Sequence, residues 1–172
     1  MRASWVVMAM VSAAALATAA DPPAQALRGQ AVFFDEAAGV QCGNCHALKG
    51  KGTAVGPDLS RLARLSPGAI VMAIRASRTE YVQTVKLKAG GEFPGMPAAK
   101  DDTSVSFYDL SAKPPALRKF DPKEVSSAKE NSTWKHPPST AKLTAEQLAD
   151  VIAYLKFASY GDTKGVNPAD TQ

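Results

Sequence analysis

Cys42-Gly43-Asn44-Cys45-His46 is the stretch on which the reading of this chain turns. The sequence has two cysteines and two histidines, and three of those four residues stand in these five positions. A bare C-x-x-C is ambiguous. As a thioredoxin-like redox pair it needs a βαβ context, and the flanks here are Gly-rich rather than strand-like. As half of a closed zinc site it needs further ligands, yet there is no second cysteine pair and the only other histidine is His136. A disulfide across the two intervening residues leaves His46 unexplained. Read whole, C-x-x-C-H is the attachment site of a c-type haem. Two thiols add to vinyl groups on one macrocycle edge, and the adjacent imidazole reaches the iron from the same turn. The haem reading is preferred, with the redox pair and zinc as its alternatives.

The 172 residues suit one domain with appendages. Residues 1–20 read as a signal peptide: Arg2 supplies a positive start, 5–17 is an almost unbroken apolar run, and Ala17-Thr18-Ala19 fits a cleavage site. The run falls short of the about 20 residues that a spanning helix needs, so no membrane anchor is expected after cleavage. No cysteine follows the run to carry a lipid. A periplasmic or secreted protein is expected, and export is consistent with haem attachment, which takes place outside the cytoplasm. Two bare thiols in that oxidising space would otherwise be expected to pair. Loss of Arg2 lowers Lys plus Arg from 20 to 19 against 16 acids, near +3. Two haem propionates would bring the protein to about +1, too weak a field to argue for nucleic acid or an anionic membrane.

Residues 24–34 read as an amphipathic helix with Leu27, Ala31 and Phe34 on one stripe. Gly29 in its middle costs up to about 1 kcal/mol relative to Ala; it marks either a close helix approach or a tolerated surface position. Gly50, Gly52 and Gly56-Pro57 make the segment after His46 a loop. Ser66-Pro67 opens a third helix with Ile70, Ala73, Ile74 and Ser77 on one face. The period then changes. Residues 81–88 and 103–110 alternate as strands, with 89–92 as a turn and 117–120 as a third short strand. Residues 131–142 are irregular. Thr144, with Gln147, caps a last helix over 145–157, whose apolar stripe is Leu148, Val151, Ile152 and Leu155. Residues 161–172 are polar and predicted to be a flexible tail.

These pieces together resemble class I cytochrome c. The residues that carry the likeness are Gly29 and Phe33, Cys42 to His46, Gly56-Pro57-Asp58-Leu59, and the run from Leu143 to Leu155. Most of residues 24–158 is covered, and the closest likeness is to bacterial haem-binding domains that carry a β insertion. The resemblance implies a mainly α fold: a helical cytochrome c domain over 21–160 around one covalent haem. A small β insertion (81–120) would lie between the third helix and the distal ligand loop. It also implies that Gly29 meets Tyr154 where the first and last helices cross.

By the same resemblance, Cys42 and Cys45 form thioether links and His46 is the proximal iron ligand. The Pro57 carbonyl would accept from its Nδ1–H, and Leu59 would pack on the haem face. For the sixth ligand the candidates are Met72, Met96 and His136. Met72 falls mid-helix, on a helix expected to line the core. Met96 stands in Phe93-Pro94-Gly95-Met96-Pro97, but inside the insertion, far from the family's usual Met-Pro position. That position holds Trp134-Lys135-His136-Pro137, so His136 is preferred and Met96 is the alternative. A His46/His136 pair implies a lower potential than His/Met ligation.

The function expected is that of a mono-haem periplasmic electron carrier, not an enzyme. Its partners would be a dehydrogenase or a terminal oxidase. Two alternatives stand beside it: a haem-bearing subunit of a larger complex docked through the insertion, and a five-coordinate haem enzyme or sensor.

Overall fold

The computed structural model describes residues 21–34, 42–76, 81–137 and 143–172. The signal peptide expected over 1–20 lies outside the described residues, as does Ser77.

Helix α1 (Ala24–Phe34) follows the Pro22-Pro23 pair and buries Ala26, Gly29 and Phe33. These are spaced three and four apart, so they share one face. The stripe expected on Leu27, Ala31 and Phe34 is therefore out of phase, and Leu27 is 49% exposed. Gly29 sets the phase. A Cβ there would collide with the Asp150 carbonyl oxygen and stand 2.9 Å from the Tyr154 Cβ. Two helix backbones thus meet where no side chain fits.

The partner is α4 (Ala145–Tyr160). Its start is a reciprocal cap: Gln147 N–H donates to Thr144 Oγ1 at 3.2 Å, and Thr144 N–H donates to Gln147 Oε1 at 3.0 Å. Leu148, Val151, Ile152 and Leu155 are buried as the apolar stripe requires, with Ala149, Ala153 and Tyr154 beside them. Arg28 clamps the crossing by donating to both Asp150 carboxylate oxygens at 2.8 and 2.9 Å. Helix α2 is the single turn Cys42–Cys45, and α3 is Pro67–Arg75, capped by Ser66. Ile70 and Val71 of α3 join Phe33, Leu48 and the α4 stripe in the helical core.

Between α3 and α4 lies a five-stranded antiparallel sheet in the order β4-β3-β2-β1-β5. Its strands are β1 (Gln83–Leu87), β2 (Glu92–Lys100), β3 (Val105–Asp109), β4 (Ala116–Phe120) and β5 (Val125–Glu130). The expectation of a mainly α fold is overturned: this is a helical layer joined to a substantial sheet. The sheet also outruns the 81–120 window, through β5. Two prolines hide β2 from a sequence reading, because proline removes a ladder donor. Pro94 stands where β3 has ended, with its carbonyl accepting from Leu110 N–H at 2.9 Å, and Pro97 sits at a register shift against β3. Strand β5 (VSSAKE) has one large apolar residue, and its pairing with β1 places it. Val85, Phe93 and Phe107 form the sheet's own small core.

The last twelve residues correct the expectation of a flexible tail. Val166 and Thr171 are buried. The Gln25 side chain donates to Val166 O and accepts from Val166 N–H, both at 2.9 Å, and Thr171 Oγ1 donates to Ala145 O at 3.2 Å. Polar composition concealed a segment held by side-chain to backbone bonds.

Candidate functional site

Helix α2 places the two sulfurs one turn apart, hence on one side. His46 N–H donates to Cys42 O at 2.8 Å, which carries the turn onto the histidine. Both cysteines are unpaired. Burial pushes the Cys42 thiol up to about 11 and raises that of Cys45 as well. Thiols raised by burial are unlike the low-pKa thiolates of a redox pair.

The loop after His46 folds back onto the motif. Thr53 N–H donates to Gly43 O at 2.9 Å, and Val55 and Gly56 N–H donate to Cys45 O at 3.1 and 2.6 Å. This return brings Pro57 O within 2.8 Å of His46 Nδ1. A carbonyl oxygen can only accept, so the bond requires the proton on Nδ1 and leaves a lone pair on Nε2. Burial lowers the His46 pKa; the Pro57 bond pulls the other way, and nearby His136 adds to the lowering. The neutral, ligand-competent imidazole is favoured.

His136 is brought to the same place from a position ninety residues on. Its Nδ1 lies 2.9 Å from Pro137 O, so Nδ1 donates there and the neutral ring keeps its lone pair on Nε2. The two imidazoles lie 6.0 Å apart between ring centres, tilted by 33°. Two imidazole nitrogens each about 2 Å from one first-row metal put their ring centres roughly 6 Å apart. The pair therefore fits an iron between them, and the cysteines on the adjoining turn fit the macrocycle edge. Among the described residues, no group of three or more His, Cys, Asp or Glu could hold a metal ion, so the zinc alternative finds no ligand set there.

The other candidates fall elsewhere. Met96 is held in β2 opposite Tyr108. Met72 is 68% exposed rather than lining the core, because α3 turns Ile70 and Val71 inward. Leu59 opens the 3₁₀ turn Leu59–Arg64 and packs, half-buried, on the helical core.

Two contributors were not legible as such. Gly56 gives His46 room: a Cβ there would stand 2.6 Å from the imidazole Cε1. Asn131 closes the turn that leads to His136, accepting on Oδ1 from Thr133 N–H, Thr133 Oγ1 and Trp134 N–H. Its signal was an Asn followed by Ser and Thr at a strand end, a turn-forming composition.

Among curated proteins, none matches the chain. A family model does: the one described as Cytochrome c matches residues 26–159, from the first helix through the C-x-x-C-H turn to the last. The chain therefore belongs to the cytochrome c family, whose members carry electrons on haem.

Proposed function

We propose that this cytochrome is an exported one-electron carrier with a single covalently attached haem, its iron held between His46 and His136. The observation that carries the reading is the close imidazole pair, 6.0 Å between ring centres, with both Nδ1 atoms set against proline carbonyls. When bound, the haem supplies an iron that cycles between ferrous and ferric. Cys42 and Cys45 would hold it through thioether bonds. His46 and His136 would both hold the iron, which would restrain ligand change at the metal. The Pro57 carbonyl keeps the His46 proton on Nδ1 and raises the basicity of Nε2. Two nitrogen ligands set a lower potential than a His/Met pair.

The signal-like residues 1–20 support a periplasmic destination, and no helix among the described residues is long and apolar enough to cross a membrane. The sheet between α3 and the His136 loop supports the closer likeness to bacterial haem-binding domains with such an insertion. A dehydrogenase or terminal oxidase meeting the haem edge is the partner class proposed.

The test is spectroscopy of the oxidised holoprotein. The wild type is expected to be low-spin with no thioether-to-iron charge-transfer band, and His136→Ala is expected to lose the low-spin signature. An unchanged spectrum in His136→Ala would overturn the ligand assignment. Carbon monoxide binding to the reduced wild type at native pH would instead favour a five-coordinate enzyme or sensor.

A further inference from the structure

His136 is carried on a loop, yet that loop grows directly out of the sheet. Strand β5 pairs with β1 up to Gln83 opposite Glu130. One residue further, Asn131 N–H donates at 2.8 Å to the carbonyl of Val82, whose side chain is fully buried. The Asn131 side chain then gathers three donors on Oδ1: Thr133 N–H at 3.2 Å, Thr133 Oγ1 at 2.9 Å and Trp134 N–H at 2.9 Å. The Trp134 ring stands edge-on to His136, 6.4 Å between centres and 83° between planes.

A free tether of five residues from Asn131 would let the imidazole range over roughly 17 Å, at about 3.5 Å per residue. With the chain pinned at Trp134, only Lys135 intervenes before the histidine. We infer that the sheet is the mount of the distal histidine, with Asn131 and Trp134 as positioning residues that hold His136 against the iron. This rests on the His136 assignment above. It gives the sheet a role within the electron-carrying site: it keeps the sixth ligand in place through each change of iron charge.

Cyanide binding to the ferric holoprotein, followed by stopped flow, tests it. Cyanide can bind only when His136 leaves, so its rate reports how firmly the loop is held. Asn131→Ala is expected to bind cyanide roughly tenfold faster, the factor given by about 1.4 kcal/mol of lost anchoring. Asn131→Asp retains the acceptor oxygen and should keep the wild-type rate. Trp134→Leu leaves the Asn131 turn intact and should also bind faster. A purely structural role would lower the thermal midpoint without moving the cyanide rate. A wild-type rate in either folded variant, Asn131→Ala or Trp134→Leu, overturns the inference. If His136→Ala itself fails to speed cyanide binding, the ligand assignment has failed, and that result is distinct.

Discussion

Gly56 lies against the imidazole of His46 so closely that a Cβ there would stand 2.6 Å from Cε1 and 3.0 Å from Nδ1. The same return of the chain brings Pro57 O to Nδ1. One dipeptide therefore does two jobs: its first residue clears the ring and its second orients it. Gly56→Ala must push the ring away from the Pro57 carbonyl or push the loop off the motif. Overpacking of this kind costs about 1–3 kcal/mol. Denaturant unfolding of the holoprotein should show that loss, together with a partial high-spin spectrum; wild-type values for both would mean that Gly56 does not constrain His46.

Exchanging the distal side chain should move the potential in a known direction. His136→Met, with Pro137 still behind it, is expected to raise the midpoint in a redox titration, because thioether ligation favours the ferrous state. Met96→Leu should leave the midpoint and the low-spin spectrum in place, since Met96 is committed to the β2–β3 ladder. A shift in Met96→Leu with none in His136→Met would reverse the assignment.

The α1–α4 crossing should be intolerant of one methyl group. Gly29→Ala sets a Cβ against the Asp150 carbonyl oxygen, which is backbone and cannot rotate away. The expected loss is about 3 kcal/mol, at the upper end for overpacking, read as a lower urea midpoint. A neutral result would show that the two helices can part without penalty.

The sheet should weaken in acid through Asp109. Burial by itself raises this carboxyl's pKa, but bonds from Ser111 and Arg118 outweigh it and hold the group below its ordinary value. Arg118 Nη1 donates to Asp109 Oδ2 at 3.0 Å while its guanidinium lies over the Phe93 and Phe120 rings. A carboxyl depressed in the folded state contributes stability above its unfolded pKa of about 3.9, and that contribution is lost as pH falls through the lower folded value. Unfolding free energy should therefore drop below about pH 4 in the wild type and drop less in Asp109→Asn. Parallel pH profiles would rule Asp109 out as the source.

Removing the last segment should destabilise the helical layer. Ending the chain after Gly161 deletes the buried Val166 and Thr171 and frees Gln25. Burying one Val side chain is worth about 1.5–3 kcal/mol, so thermal and urea unfolding should show a loss of at least that order. An unchanged midpoint would mean that the contacts of 166–171 contribute nothing net.

The legible parts of the fold were those whose information is local. The Thr144–Gln147 cap, the α4 stripe, the Ser66-Pro67 helix start and the alternating strands β1 and β3 each declare themselves within a few residues. The illegible parts depend on a distant partner. The buried face of α1 follows from where Asp150 lies, not from the sizes of its own side chains. Strand β2 carries two prolines that are harmless only because of where β3 ends and shifts register. Strand β5 and the last twelve residues have little apolar signal, and their placement comes from hydrogen bonds to β1 and to Gln25.

The same division holds at the site. Cys42, Cys45 and His46 are set by a single helical turn, so their grouping was legible from spacing alone. Only the tertiary structure decided what faces His46. Position in the sequence favours His136 for that place and keeps Met96 as the alternative, but no local rule says which distant side chain a folded sheet will deliver. Strand pairing held Met96 in β2, α3 turned Met72 outward, and the turn after β5 set His136 6.0 Å from its partner. The Cys42–His46 turn is written in adjacent residues because it is one turn of helix; the approach of His136 to it arises from the packing of elements ninety residues apart.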